Sequence, residues 1–114
     1  MSAYSSAVLA DSPILYARLG EASGTSAADA SSSALTGTYV GSPTLGATGL
    51  VAGDADTAVT FNGTSQYVNF ANPTALKITG DVTLECIVNL ASWPASGGYA
   101  VFMAKGYDGT AEGY

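Results

Sequence analysis

An all-β domain, built as an antiparallel β-sandwich, is what this sequence predicts, and three observations predict it. The stretch from Thr57 to Leu90 carries apolar residues at every second position in successive short runs. Such alternation sets one face of a strand on a core and the other toward water. Runs of this kind recur along the chain at intervals of about 8–12 residues. The intervals are filled with Gly, Pro, Asn and Ser, the residues that turns require. At 114 residues the chain is one domain at most, and a single domain over 1–114 is expected.

Taken in order, Tyr4, Ala7, Val8 and Leu9 are spaced for one or two helical turns over about residues 4–11, closed by Asp11-Ser12-Pro13. Ile14 to Leu19 (ILYARL) predicts a strand with Leu15, Ala17 and Leu19 on one side. The small-residue tract from Ala22 to Ala34 predicts a surface loop, since it offers little to bury. Leu35 to Val40 predicts a short strand with Tyr39 or Val40 inward, and Gly41 to Gly53 a turn-rich connection. In the central stretch, Val59 and Phe61 mark one strand and Val68 and Phe70 the next, with Asn62-Gly63-Thr64 as the hairpin turn between them. After Pro73 and Gly80-Asp81, a third and longer strand carries Val82, Leu84, Cys86, Val88 and Leu90 on its apolar face. A loop at Trp93-Pro94 and Gly97-Gly98 leads to a last strand, Tyr99 to Ala104, and Lys105 to Tyr114 forms a terminal turn.

Composition removes several function classes. The cations are Arg18, Lys77 and Lys105, and the net charge is -6. Binding to nucleic acid needs clustered Lys and Arg to displace counterions, and docking on anionic lipid needs the same sign. Neither partner is therefore expected. The chain has no histidine, which excludes serine–histidine, cysteine–histidine and histidine–zinc schemes within it. Cys86 is the single cysteine, so no intrachain disulfide is possible. Its place on an apolar strand face predicts a buried, inert thiol. No run approaches the roughly 18 apolar residues of a membrane span. The N-terminus shows no basic region followed by an apolar run, so no secretory signal is expected.

Several segments, in order, resemble the N-terminal half of a laminin-G-like, concanavalin A-like jelly-roll domain of the kind found in phage virion proteins. They are AVLADSPILYARLGE (7–21), AADASSSALTGTYVG (27–41), GDADTAVTFNGTSQYVNF (53–70), ITGDVTLECIVNL (78–90) and FMAKGYDGTAEGY (102–114). Where family members often carry an aromatic, this chain has Ala17 and Ile87, and Ser31-Ser32-Ser33 stands where a tight Asn-Gly pair is usual. The resemblance implies a jelly-roll-type sandwich of two sheets. A full domain of that family is longer, so the expected fold is incomplete, to be completed by another chain or by a C-terminal half beyond Tyr114. An open half-sandwich exposes sheet edges and an apolar face, which invites pairing with a further chain.

The resemblance also implies that a structural calcium ion sits at loop edges in some such domains, for which Asp29, Asp54, Asp56 and Asp81 are the candidate ligands. Calcium takes six to eight hard oxygens, many from the backbone, so spacing does not identify a site. Turn-making and capping account for the same aspartates. Glu85 is the one carboxylate placed mid-strand. Sandwich glycosidases that resemble this fold use a Glu-x-Asp-x-x-Glu run, and glycoside hydrolysis needs two carboxyl groups at a set separation. Here Leu84-Glu85-Cys86-Ile87-Val88-Asn89 offers one, so no hydrolase and no catalytic residue is expected. Trp93, Tyr99 and Tyr107 are the candidate ligand-binding residues, as sugar platforms or, alternatively, as core and subunit contacts. Asn62-Gly63-Thr64 is formally a glycosylation sequon.

The resulting expectation is a non-enzymatic virion protein. It would be made in a host cytoplasm and displayed on a capsid or tail, most simply as a homo-oligomer among other virion subunits. Loops would be free for weak attachment to host-surface glycans. The alternatives are a lectin-like carbohydrate-binding module and a fragment of a larger tail protein.

Overall fold

A computed structural model describes residues 1–105 of the chain. It divides into two compact units, Met1–Leu76 and Lys77–Tyr114. The first is mostly strand: one short helix, α1 (Ala3–Ala10), then β1 (Ser26–Ala27), β2 (Gly37–Val40), β3 (Thr44–Ala47), β4 (Ala58–Thr60) and β5 (Tyr67–Asn69), then a 3-10 turn at Thr74–Leu76. The strands form two small antiparallel sheets, β1-β2-β5 and β3-β4. The all-β reading therefore holds at the level of class. No helix among the described residues is long and apolar enough to cross a membrane.

α1 lies where the spacing of Tyr4, Val8 and Leu9 predicts it, and serines anchor it. Ser2 is the N-cap, with extended backbone, and its Oγ accepts from the Ser5 amide at 3.1 Å. That contact satisfies one of the amides a helix start leaves without a partner. The Ser5 and Ser6 hydroxyls return to the Ser2 carbonyl at 3.1 and 3.0 Å, and Ser5 is fully buried. At the other end Asp11 and Ser12 donate to Val8 and Leu9 carbonyls, Ser12 takes a left-handed φ of 53°, and Pro13 prevents continuation.

Residues 14–19 are not the strand that alternation predicts. They make one bridge, Ala17 to Asp29, and the Ala30 amide donates to the Tyr16 carbonyl at 2.8 Å. Two local features stop a ladder. The Tyr16 amide is taken by the Asp29 side chain at 2.9 Å, and Leu19 sits at a φ of 57°, outside the β region.

The tract 22–34 is also more than a surface loop, because Ser26 and Ala27 pair with Thr38 and Gly37 and Ala27 is fully buried. Small size is what the position demands. At the facing Gly37 a Cβ would come within 2.7 Å of the Phe70 ring, so this layer has room only for residues with little or no side chain. On β2, Gly37 and Tyr39 are buried while Thr38 is exposed, so Tyr39 is the inward residue that the pattern of 35–40 leaves open with Val40.

The connection 41–53 contains a strand that its Pro and Gly content hides. β3 pairs with β4 through Thr44–Thr60 and Ala47–Ala58, with one extra residue on β3 and Gly46 at a φ of 75°. A bulge of this kind needs a residue that tolerates the left-handed region. β5 pairs with β2 in the register Thr38–Asn69, Tyr39–Val68, Val40–Tyr67. β4 and β5 thus belong to different sheets. Asn62-Gly63-Thr64 is not a hairpin turn but part of a crossing between sheets, with Gly63 at a φ of 68°.

The second unit has no helix or strand among its described residues, and residues 80–104 are all exposed. The strands expected over 82–90 and 99–104 are absent there. Ile87 and Val88, neighbours that would face opposite ways on a strand, are 46% and 47% exposed. Cys86 is exposed rather than buried. Alternation supplies only one side of a strand's requirements; the ladder of a neighbouring strand and a surface to cover the apolar face supply the rest. A tight turn at Ala95–Gly98 is closed by the Gly98 amide on the Ala95 carbonyl at 2.8 Å.

Candidate functional site

Arg18 is the only cationic side chain in the first 76 residues, and it gathers two carboxylates around itself. Its Nη2 lies 3.0 Å from Asp54 Oδ1 and 3.3 Å from Oδ2, and its Nε lies 2.5 Å from Asp56 Oδ2. The Asp54-x-Asp56 spacing makes this geometry possible: the Asp56 amide donates to Asp54 Oδ1 at 3.0 Å, so the turn presents both carboxylates to one guanidinium. The Ser2 hydroxyl donates to Asp54 Oδ2, which ties the N-cap of α1 to the same turn. Asp54 is nearly buried, with 8% of its side chain exposed, whereas Asp56 and Arg18 are about a third open. The Ser2 hydroxyl, then the Asp56 amide and the charge of Arg18, hold the Asp54 carboxyl below the ordinary range.

Asp29 organises a second cluster. Its Oδ1 accepts from the Tyr16 and Ser31 amides at 2.9 and 2.8 Å, and its Oδ2 from the Ser31 hydroxyl and the Leu35 amide, both at 2.8 Å. Burial pushes this carboxyl up, but the three amides and the hydroxyl outweigh burial and leave it below its usual value. Ser31 is itself buried, and its single hydroxyl proton lies between Asp29 Oδ2 and the Ile14 carbonyl, 3.0 Å from Oγ. One carboxylate thereby fastens residues 14–16 to the 29–35 turn.

Glu21 makes the third contact of this kind. Its Oε2 accepts from the Tyr39 hydroxyl at 2.5 Å and its Oε1 from the Ala28 amide at 2.7 Å. Burial raises the Glu21 carboxyl, and the two donors together bring it below its ordinary value. The buried Tyr39 hydroxyl is pushed far up, first by burial and then by the adjacent carboxylate. Arg18, Glu21 and Asp56, with Gly20, Ala28 and Ala30, line a shallow open depression of about 220 Å³.

The calcium candidates of the first unit fall into two separate sets. Asp54 and Asp56 share Arg18, Asp29 belongs to its own cluster, and Asp81 lies exposed in the second unit. The oxygens of Asp29 face N–H and O–H donors and those of Asp54 and Asp56 face a guanidinium, whereas calcium needs converging oxygens with free lone pairs. Among the described residues no three Asp, Glu, Cys or His side chains are grouped as a metal would require. The residues present do not fit the ion.

Trp93 and Tyr99 stand 81% and 86% exposed in the second unit, and Tyr107 lies outside the described residues. Glu85 is exposed in the same unit. Sequence reasoning missed Arg18 and Glu21 as organising residues. A usable signal was there: a lone cation in a strongly acidic half-chain has carboxylates for neighbours, and an Asp-x-Asp turn presents two of them on one side.

No protein-family model matches this chain, and no curated protein or solved structure matches it either.

Proposed function

We propose that this chain is a non-enzymatic assembly module of a phage virion: part of a jelly-roll-type sandwich, displayed on a capsid or tail and completed by strands from another chain. One observation carries the assembly part of the reading. Val82, Leu84, Ile87, Val88, Leu90, Val101, Phe102 and Met103 are all exposed large apolar residues on two runs that read as strands. Leaving so much apolar surface in water is costly, at about 25 cal/mol per Å². Extended apolar runs of low charge are what strand addition uses, with main-chain hydrogen bonds for affinity and alternate side chains for fit. The virion assignment rests on the resemblance of the ordered segments given above. The engaged state of Asp29, Asp54, Asp56 and Glu21, each already holding structural donors, supports a scaffold role rather than acid–base chemistry.

Light scattering on a sizing column, beside the intact mass of the native protein, tests this. A discrete oligomer of 114-residue subunits is expected. A stable, cooperatively melting monomer overturns the proposal, and a longer native mass transfers it to a larger tail protein that completes the sandwich in cis. A second reading, a carbohydrate-binding module, is favoured by the exposure of Trp93 and Tyr99. Such rings stack on sugars at modest affinity. Glycan titration that saturates, and that Trp93→Ala abolishes without changing the oligomer, would select that reading.

A further inference from the structure

The loop between β4 and β5 holds chemistry that neither fold nor assembly uses. Asn62 Oδ1 accepts from three successive amides, those of Thr64 at 2.9 Å, Ser65 at 3.0 Å and Gln66 at 3.3 Å. Asn62 Nδ2 donates to the Ser65 hydroxyl at 3.1 Å. The next residue, Gly63, is exposed, sits at a φ of 68°, and has nothing within 4 Å of where a side chain would project. Its amide has no hydrogen-bond partner among the described residues. The far side of the loop is fastened by Gln66, whose Nε2 donates to the Gly41 and Ser42 carbonyls at 3.0 and 3.1 Å.

These contacts are the parts of an acyl-transfer site turned on the protein's own side-chain amide. Three N–H groups converge on the carbonyl oxygen that would become an oxyanion, as such stabilisation requires. A hydroxyl stands at the nitrogen that would leave, where a proton donor is useful. The nucleophile, the Gly63 nitrogen, follows Asn62 directly in the main chain and its N–H is engaged by no other described residue, so no second molecule has to be oriented. We propose that Asn62–Gly63 is a self-modification site whose folded loop accelerates its own deamidation. The Gly63 nitrogen gives its proton to solvent hydroxide and bonds to Asn62 Cγ, and the carbonyl pair moves to Oδ1. Its return expels Nδ2 as ammonia, protonated through the Ser65 hydroxyl, which regains a proton from water. Water then opens the resulting cyclic imide at either carbonyl, leaving an aspartyl or isoaspartyl residue at position 62. One water is consumed and one ammonia released.

The aspartyl product adds a negative charge and keeps an acceptor for the three amides. The isoaspartyl product inserts a methylene into the main chain between β4 and β5 and breaks the spacing that lets Gln66 reach Gly41 and Ser42. The loop is thus an ageing clock on the connection between the two sheets.

The experiment incubates the full 114-residue chain at mildly alkaline pH, folded and in urea, and follows conversion at position 62 by peptide mass spectrometry. Asn69–Phe70 and Asn89–Leu90 serve as internal controls. The folded chain is expected to convert roughly tenfold faster than the unfolded one, since preorganised donors act only in the folded loop. Ser65→Ala, with an unchanged circular dichroism spectrum, is expected to slow the folded rate several-fold. A folded rate equal to or below the unfolded rate, or a Ser65→Ala rate equal to the parent's, overturns the proposal.

Discussion

Carboxylates in this chain serve as fasteners for loops, and their cost and benefit are set at single residues. Asp29 receives four donors on two oxygens. Asp29→Asn turns one acceptor into a donor facing the Ser31 hydroxyl or the Leu35 amide, and is expected to cost about 2 kcal/mol in urea unfolding. The pH dependence follows from the same contacts. Asp29, Glu21 and Asp54 are all more acidic folded than free. The unfolded chain therefore takes up protons first as pH falls, so their stabilisation is full above the free carboxylate range, near pH 4, and lost below it. Tyr39 is shifted the other way, up from 10.0. Its contribution is full below that value and declines as pH rises beyond it. A plot of urea midpoint against pH is expected to fall at both ends, and Glu21→Gln is expected to reduce both declines.

At the scale of elements, tight packing and exposed apolar runs lead to opposite expectations. Gly37 lies under the Phe70 ring, and the Cβ of Gly37→Ala would overlap it. That variant is expected to lose about 1–3 kcal/mol in a thermal or urea melt. In the second unit, Leu84 is 44% exposed, so Leu84→Asp is expected to abolish the oligomer seen by light scattering and, with the partner surface gone, to lower the melting temperature toward that of the dilute parent chain. How far these elements were legible follows from what each depends on. α1, β2, β4 and β5 stand where spacing and alternation place them, since capping and half-burial are local properties. β1 was hidden because a buried Ala27 leaves no hydrophobic mark, and β3 because Gly46 makes a bulge that looks like a turn. The strand over 82–90 was over-read, because its pattern reports a surface to be covered and says nothing of whether a cover is present. Of the polar cluster, Asp29, Asp54 and Asp56 were legible as carboxylates set at turns, whereas the guanidinium of Arg18 lying against the last two depends on contacts far apart in sequence.

At the scale of the whole molecule, the first unit stands on very little buried hydrocarbon, with Ala27 and Tyr39 its buried hydrophobic residues. Small domains bury a modest share of their surface and are correspondingly marginal. The hydrogen-bonded carboxylates and the strand ladders therefore matter more here than they would beneath a thick core, and an added partner surface would stabilise the chain by mass action. The melting temperature is accordingly expected to rise with protein concentration, as it does wherever association and folding are linked.

The nesting of the strands has a kinetic consequence. β3 and β4 pair with each other inside the segment that separates β2 from β5. Zipping the inner pair first shortens the span the outer pair must close, and so lowers the entropy lost in that closure. Val59→Ala, on the inner pair, is expected to slow refolding in stopped-flow fluorescence. Val68→Ala, on the outer pair, is expected mainly to speed unfolding. A molecule organised in this way commits to its inner ribbon before its wider sheet exists.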